Sequence, residues 1–220
     1  MTPAPTSHIT DRRRLLEILA VAITGLGKFI FMDLLEWRLP YILTACLAWL
    51  AYILYQQGRR PGLLAYWGLN TQGFWRTFLF LLPFALGLVI VFLLLGNHWG
   101  TNRLNWGIIP IMLLYPLWGI IQQFLIVGLI GRNLTDLSRP QLSRTWVVLL
   151  TALVFAVVHF PFLLLVGATF GLAIVYTSLY LRGHNLLALG VYHGWLGGFF
   201  FYTLLNRDPW QEVFGVLFSG

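Results

Sequence analysis

An all-α, polytopic membrane bundle of about seven transmembrane helices is the fold this sequence predicts. Three observations predict it: a composition too apolar for a soluble domain, seven apolar runs of spanning length, and a lopsided distribution of arginine among the connecting loops. Of 220 residues, 59% are hydrophobic, 16% aromatic and only 10% charged, and mean hydropathy is +0.79. That leaves too little polar surface to coat a soluble domain of this size. A spanning helix needs roughly 20 apolar residues, because each backbone amide must find its partner inside the segment where no water reaches. The runs near 15–35, 39–56, 75–95, 107–131, 145–161, 163–182 and 185–205 qualify. The fifth and sixth meet at Phe160-Pro161-Phe162, where proline removes a backbone donor and disfavours helix in the residue before it, so a tight hairpin is expected there.

Charge placement gives an independent orientation. With the amino terminus cytoplasmic, the inner side collects Arg12, Arg13, Arg14, Arg59, Arg60, Arg76, Arg132, Arg139, Arg144 and Arg182, and the outer side only Arg38, Arg103 and Arg207. Seven crossings then put the carboxyl terminus outside. The net charge of +7 lies in short loops suited to anionic headgroups, so membrane lipids are the expected partner and nucleic acid is not. No cleavable targeting peptide is expected, because Asp11-Arg12-Arg13-Arg14 precedes an apolar run too long for a signal segment. Residues 57–74 mix arginine with Leu63, Leu64, Tyr66 and Trp67 and suit a segment at headgroup level, as does the tail from Asn206 through Trp210 to the apolar end. With no internal repeat or linker, residues 1–220 read as a single transmembrane domain. An integral protein of the inner or plasma membrane of a prokaryote is expected.

Polar residues inside spans need partners and are costly against lipid, so they carry the functional information. Lys28, Asp33 and Glu36 lie in or at the end of the first run, Gln122 and Gln123 in the fourth, His159 in the fifth and His193 in the seventh. Asp33 and Glu36 suit a helix end beside Arg38, and Lys28 has a stem long enough to reach an interface. The single cysteine, Cys46, rules out an intrachain disulfide and any cysteine-based metal cluster. The sequence has no GxSxG elbow, no paired Cys and His with an orienting partner and no HExxH helix. Two histidines alone fall short of the three protein ligands of a catalytic zinc site, so no metal is expected.

Gln122-Gln123-Phe124-Leu125-Ile126-Val127-Gly128, then Phe155 four residues before His159, then Asn185-Leu186-Leu187-Ala188 and His193-Gly194-Trp195-Leu196-Gly197 follow one another in the second half of the chain. In order and spacing they resemble the CPBP family of CAAX prenyl protease type II, or Ras-converting-enzyme-like, proteins and their bacteriocin-processing relatives, over a core at about 107–205. The resemblance implies a helical intramembrane fold in which a glutamate activates water while two histidines and an asparagine orient it and stabilise the oxyanion. The family's glutamate pair falls on Gln122 and Gln123, its arginine on Val127, its Phe/His motif on Phe155 and His159, and its final His/Asn motif on His193 and Gly197. Gly128, Phe155, His159 and His193 match; Gln122, Gln123, Val127 and Gly197 do not.

The departures are chemically coherent. A carboxylate can take a proton from water, whereas a glutamine amide of nearly the same shape has no useful basicity near neutral pH. Positions 123 and 127 lie one α-helical turn apart, so the family's glutamate and arginine can neutralise each other; here both charges are missing together, and neither is stranded. Gly197 lacks the amide expected at the oxyanion. No catalytic residue is assigned with the base, its ion pair and the oxyanion donor all gone, and among the remaining acids none is placed by sequence beside His159 and His193.

Two functions follow. The first is a pseudoprotease that keeps the fold and works as a binding, scaffold or assembly subunit for another integral membrane protein or complex, a lipid or a pigment. No cofactor is required, although in one variant His159 and His193 ligate a haem or chlorophyll-type macrocycle. The second is an active CAAX-type intramembrane endopeptidase with an altered site. In either, His159, His193 and the glutamine pair are expected to face one interior cavity.

Overall fold

The computed structural model describes residues 9–215, and helix is the regular structure throughout them. Thr10, in extended backbone, caps α1 (Asp11–Lys28) by accepting from the amide of Arg13, a common helix start. The helix continues as a π-helical segment, Phe29–Leu34, and turns at Glu36 with φ +57°. Then come α2 (Arg38–Arg59), α3 (Leu63–Trp67), α4 (Phe74–Trp99) and α5 (Ile108–Gln123), which passes into a second π-helical segment, Phe124–Gly131, and α6 (Arg132–Thr135). The remainder is α7 (Arg144–Val157), α8 (Leu163–Tyr180), α9 (Leu186–Thr203) and α10 (Pro209–Phe214).

Among the described residues five stretches are long and apolar enough to cross a membrane: Asp11–Leu34, Arg38–Arg59, Phe74–Trp99, Ile108–Thr135 and Leu163–Tyr180. The other two expected runs are helical but fall short. α7 has only 14 residues, about 21 Å at 1.5 Å per residue against a hydrocarbon core of about 30 Å. It stops at Val157 rather than running to 161, so His159 lies in the turn beyond it, donating its amide to Ala156. α9 has 18 residues, with Tyr192, His193 and Trp195 in its middle, and is not among the five. The expected hairpin between α7 and α8 is present.

The chain forms two compact units, one of residues 1–71 and 124–186 and the other of 72–123 and 187–220. The first is built around the π-helical segment Phe124–Gly131, every residue of which is buried; α1, α3, α6, α7 and α8 pack against it. Within residues 57–74, α3 packs on this core. Leu63 is 1% exposed and Trp67 0%, with the Trp67 ring edge-on to Phe124 at 5.2 Å, because α3 presents its apolar residues to this core.

At the start of α1, Arg14 and Glu17 are buried within a network of hydrogen bonds and ion pairs. Glu17 accepts from Arg13 at 2.9 Å, from Asn133 at 2.7 Å and from Tyr52. Arg14 donates to Tyr66 at 2.7 Å, and Tyr66 in turn donates to Asp136, which also receives Arg132 at 3.0 Å. Partnering of this kind is what allows charge to be buried. Asp11 receives Ser138 near the beginning of α1, while Lys28 at its end meets Phe160 beyond α7; α1 and α7 therefore run parallel.

In the second unit α9 lies between α4 and α5. Tyr192 donates to the carbonyl of Phe78 at 3.0 Å, and further along Phe92 and Phe200 meet edge-on at 5.3 Å, so α4 and α9 are parallel. α5 runs the other way. Gly190, Gly194 and Gly198, spaced by four, face Ile120, Tyr115 and Met112 in turn, and Gly119 faces Gly190. A small-residue seam of this kind lets helix backbones approach closely in a membrane.

The tail is held by Asp208, which accepts from Tyr202 at 2.7 Å, Asn105 at 2.9 Å and the Gln211 amide at 3.2 Å; the expected apolar end beyond Gly215 lies outside the described residues. Partial burial pushes the Asp208 carboxyl up, but hydrogen bonds to its charged form outweigh that and hold it below the usual carboxylate value. A carboxyl depressed on folding contributes stability that is complete above its unfolded pKa and is lost as pH falls through its folded pKa. Trp210 fluorescence is expected to report loosening of the tail below about pH 4, the ordinary aspartate range, and Asp208→Asn to flatten that profile. Superimposable profiles would contradict the assignment.

Candidate functional site

α5 ends on the glutamine pair, and the two side chains differ in their surroundings. Gln122 is half-buried and reaches His193 of α9, with Oε1 and Nε2 2.9 Å apart. The α5–α9 seam makes this possible, since His193 precedes Gly194 and the close backbone approach there brings the ring within reach of α5. With the amide oxygen facing it, Nε2 carries the proton and donates. His193 itself is buried at 7% exposure. Gln123 is 1% exposed, and its Oε1 has no hydrogen-bond partner among the described residues.

From Phe124 the helix is wound with i→i+5 bonds. Four-residue steps no longer return a side chain to the same face, so the one-turn relation expected between positions 123 and 127 is altered by the winding. Val127 is completely buried in the core of the first unit, and Gly128 is buried beside it. A Cβ on Gly128 would approach Leu186 and Phe124 to 3.2 Å, which accounts for the retained glycine. Gly197 is different: nothing lies within 4 Å of where its Cβ would be, so the missing amide is not excluded by crowding.

Phe155 and His159 are brought together in the first unit. Their rings stand edge-on at 4.8 Å, and His159 Nδ1 lies 2.7 Å from the carbonyl oxygen of Phe155. A carbonyl only accepts, so Nδ1 carries the proton and Nε2 keeps its lone pair. The two histidines thus bond through different ring nitrogens, His193 through Nε2 and His159 through Nδ1. Of the residues expected at one cavity, Gln122, Gln123, His193 and Gly197 belong to the second unit, and Val127, Phe155 and His159 to the first.

Sequence reasoning missed the acid that the structure brings to the His159 turn. Lys28 pairs with Asp33 at 2.7 Å and donates to the carbonyl of Phe160, adjacent to His159, at 2.9 Å. Asp33 is thus the acid partner of Lys28 as well as a residue near the helix end. The signal lay in the five-residue spacing of 28 and 33, which shares a face only under π winding. Among the described residues no three His, Cys, Asp or Glu side chains are grouped to hold a metal ion.

As a chemical device, the Gln122–His193 pair is an amide hydrogen-bonded to an imidazole. It can orient a polar ligand or a water molecule, but the amide cannot accept water's proton. No curated protein and no solved structure matches this chain. Residues 103–199 match the family model described as type II CAAX prenyl endopeptidase Rce1-like. The stretch spans α5, α7, α8 and most of α9, and over it the chain is similar to that family; among the described residues the regular structure is helical, with five helices long and apolar enough to cross a membrane.

Proposed function

We propose that this chain is a pseudoprotease: it keeps the family's helical scaffold and both histidines and uses them to bind, as a scaffold or assembly subunit for another integral membrane protein. The observation that carries this reading is the hydrogen bond from His193 to the amide of Gln122, at the position where the family's chemistry needs a carboxylate. The buried amide oxygen of Gln123, without a partner among the described residues, supports a polar ligand or bound water, since buried polar atoms are nearly always satisfied. Hydrolysis would need a base, and an amide supplies none.

Seven crossings with the amino terminus inside suit this scaffold. α1 and α7, the first and fifth runs, are parallel; α4 and α9, the third and seventh, are parallel; and α5, the fourth, opposes α9. These directions have the parity of an alternating chain. The membrane is read as the inner or plasma membrane of a prokaryote.

Cross-linking in native membranes followed by purification and mass spectrometry tests the subunit role. The same integral membrane protein is expected in repeated preparations, with its yield reduced by Gln122→Ala and His193→Ala. Recovery of the chain alone under every cross-linking condition would contradict it.

A further inference from the structure

The turn that carries His159 is held from outside its own hairpin, by one face of α1. At Gly25 the approach is so close that a Cβ would stand 2.8 Å from Cγ1 of Val158, the residue before His159. Three residues further along α1, on the same face, Lys28 Nζ donates to the carbonyl of Phe160 at 2.9 Å, the residue after His159. The chain on both sides of the imidazole is thereby fixed by two neighbouring positions of a single helix.

The lysine is suited to this task by its surroundings. An ammonium within an apolar segment needs a partner, and Asp33 supplies the opposite charge at 2.7 Å, while the Phe29 ring lies 4.5 Å from Nζ. Three N–H donors on one ammonium leave a proton for the Phe160 carbonyl after the carboxylate is satisfied. Winding the helix as π over Phe29–Leu34 is what brings residue 33 back over residue 28, because π-helical bonds join positions five apart. The irregular end of the first helix therefore has a definite consequence: it neutralises Lys28 without moving Nζ from the turn.

The geometry points to Lys28, set by Asp33 and backed by the close approach at Gly25, as the positioning residue of His159. Fixing Val158 and Phe160 keeps Nδ1 on the carbonyl of Phe155, 2.7 Å away, and commits the imidazole to one tautomer with its Nε2 lone pair available. A ligand meeting this nitrogen would offer an N–H or O–H donor. Only that last step rests on the proposed binding role; the positioning concerns the chain by itself, so the two can fail separately.

The test uses the full chain, labelled with 15N-histidine and held in lipid nanodiscs, with long-range proton–nitrogen correlations read for His159 and assigned by their loss in His159→Gln. The unmodified chain is expected to give one protonated Nδ1 signal and one unprotonated Nε2 signal. Lys28→Met is expected to replace these by averaged signals of interconverting tautomers, and Lys28→Arg, which keeps the donor and its charge, to restore the single form. His193 should be unchanged in all three. Gly25→Ala, which crowds Val158 without touching the lysine, should produce the same averaging, and it decides alone if Lys28→Met does not fold. A single unshifted tautomer in the folded variants would overturn the proposal, as would averaging in Lys28→Arg as complete as in Lys28→Met.

Discussion

Gly194→Ala is expected to lower the stability of the chain by about 3 kcal/mol, the upper part of the range for overpacking a filled interior. The added methyl would lie 2.2 Å from the carbonyl oxygen of Tyr115 and 2.4 Å from its carbon. These are backbone atoms that no rotamer change can move, so α5 and α9 would have to separate. Their separation would also break the His193–Gln122 contact, which depends on the same approach. Gly197→Ala, on the same helix with open space at Cβ, is the control and should be neutral or slightly stabilising through helix propensity. Thermal unfolding of both variants in one detergent, followed by tryptophan fluorescence, compares them. Equal midpoints would mean that the glycine seam does not hold the second unit together.

Val127→Arg is expected to cost about 3–5 kcal/mol, the range for leaving a buried charge uncompensated. Val127 is completely excluded from solvent within the segment about which the first unit is built. No acid stands at position 123 to receive the guanidinium, since that residue is glutamine. Restoring the family's arginine alone should therefore damage the fold, whereas Gln122→Glu, at a half-buried position, should be tolerated. Chemical denaturation of the two single variants separates them, and a Val127→Arg chain as stable as the unmodified one would contradict the packing described for this segment.

The membrane helices were legible because hydropathy over some twenty residues averages out local detail; α2, α4 and α8 begin and end within a few residues of the apolar runs. α7 was less so, since Val158, Phe160 and Phe162 remain apolar after the helix has ended, and hydropathy does not distinguish a helix from an apolar turn. The burial of α3 was not legible either. Arginine beside leucine and tryptophan suits an interface, but the left-handed Gly62 and Gly68 at its ends turn its aromatic residues into the core. In the site, Gln122 and His193 could be named from spacing, and so could Phe155 and His159. Their tautomers could not, because those follow from which oxygen each ring faces. The Lys28–Asp33–Phe160 arrangement was hidden twice, by a contact across 132 positions of sequence and by a π winding that the amino-acid pattern does not announce.

The central claim is that the scaffold has been kept without hydrolysis. Incubating the purified, unmodified chain in lipid with a prenylated CAAX peptide and following product by mass spectrometry tests it most directly, beside a variant carrying Gln122→Glu, Gln123→Glu, Val127→Arg and Gly197→Asn. No product is expected from the unmodified chain; a folded restored variant is expected to gain cleavage, since a positioned general base contributes about 10²–10⁴-fold. Turnover by the unmodified chain that disappears in His159→Ala would contradict the claim.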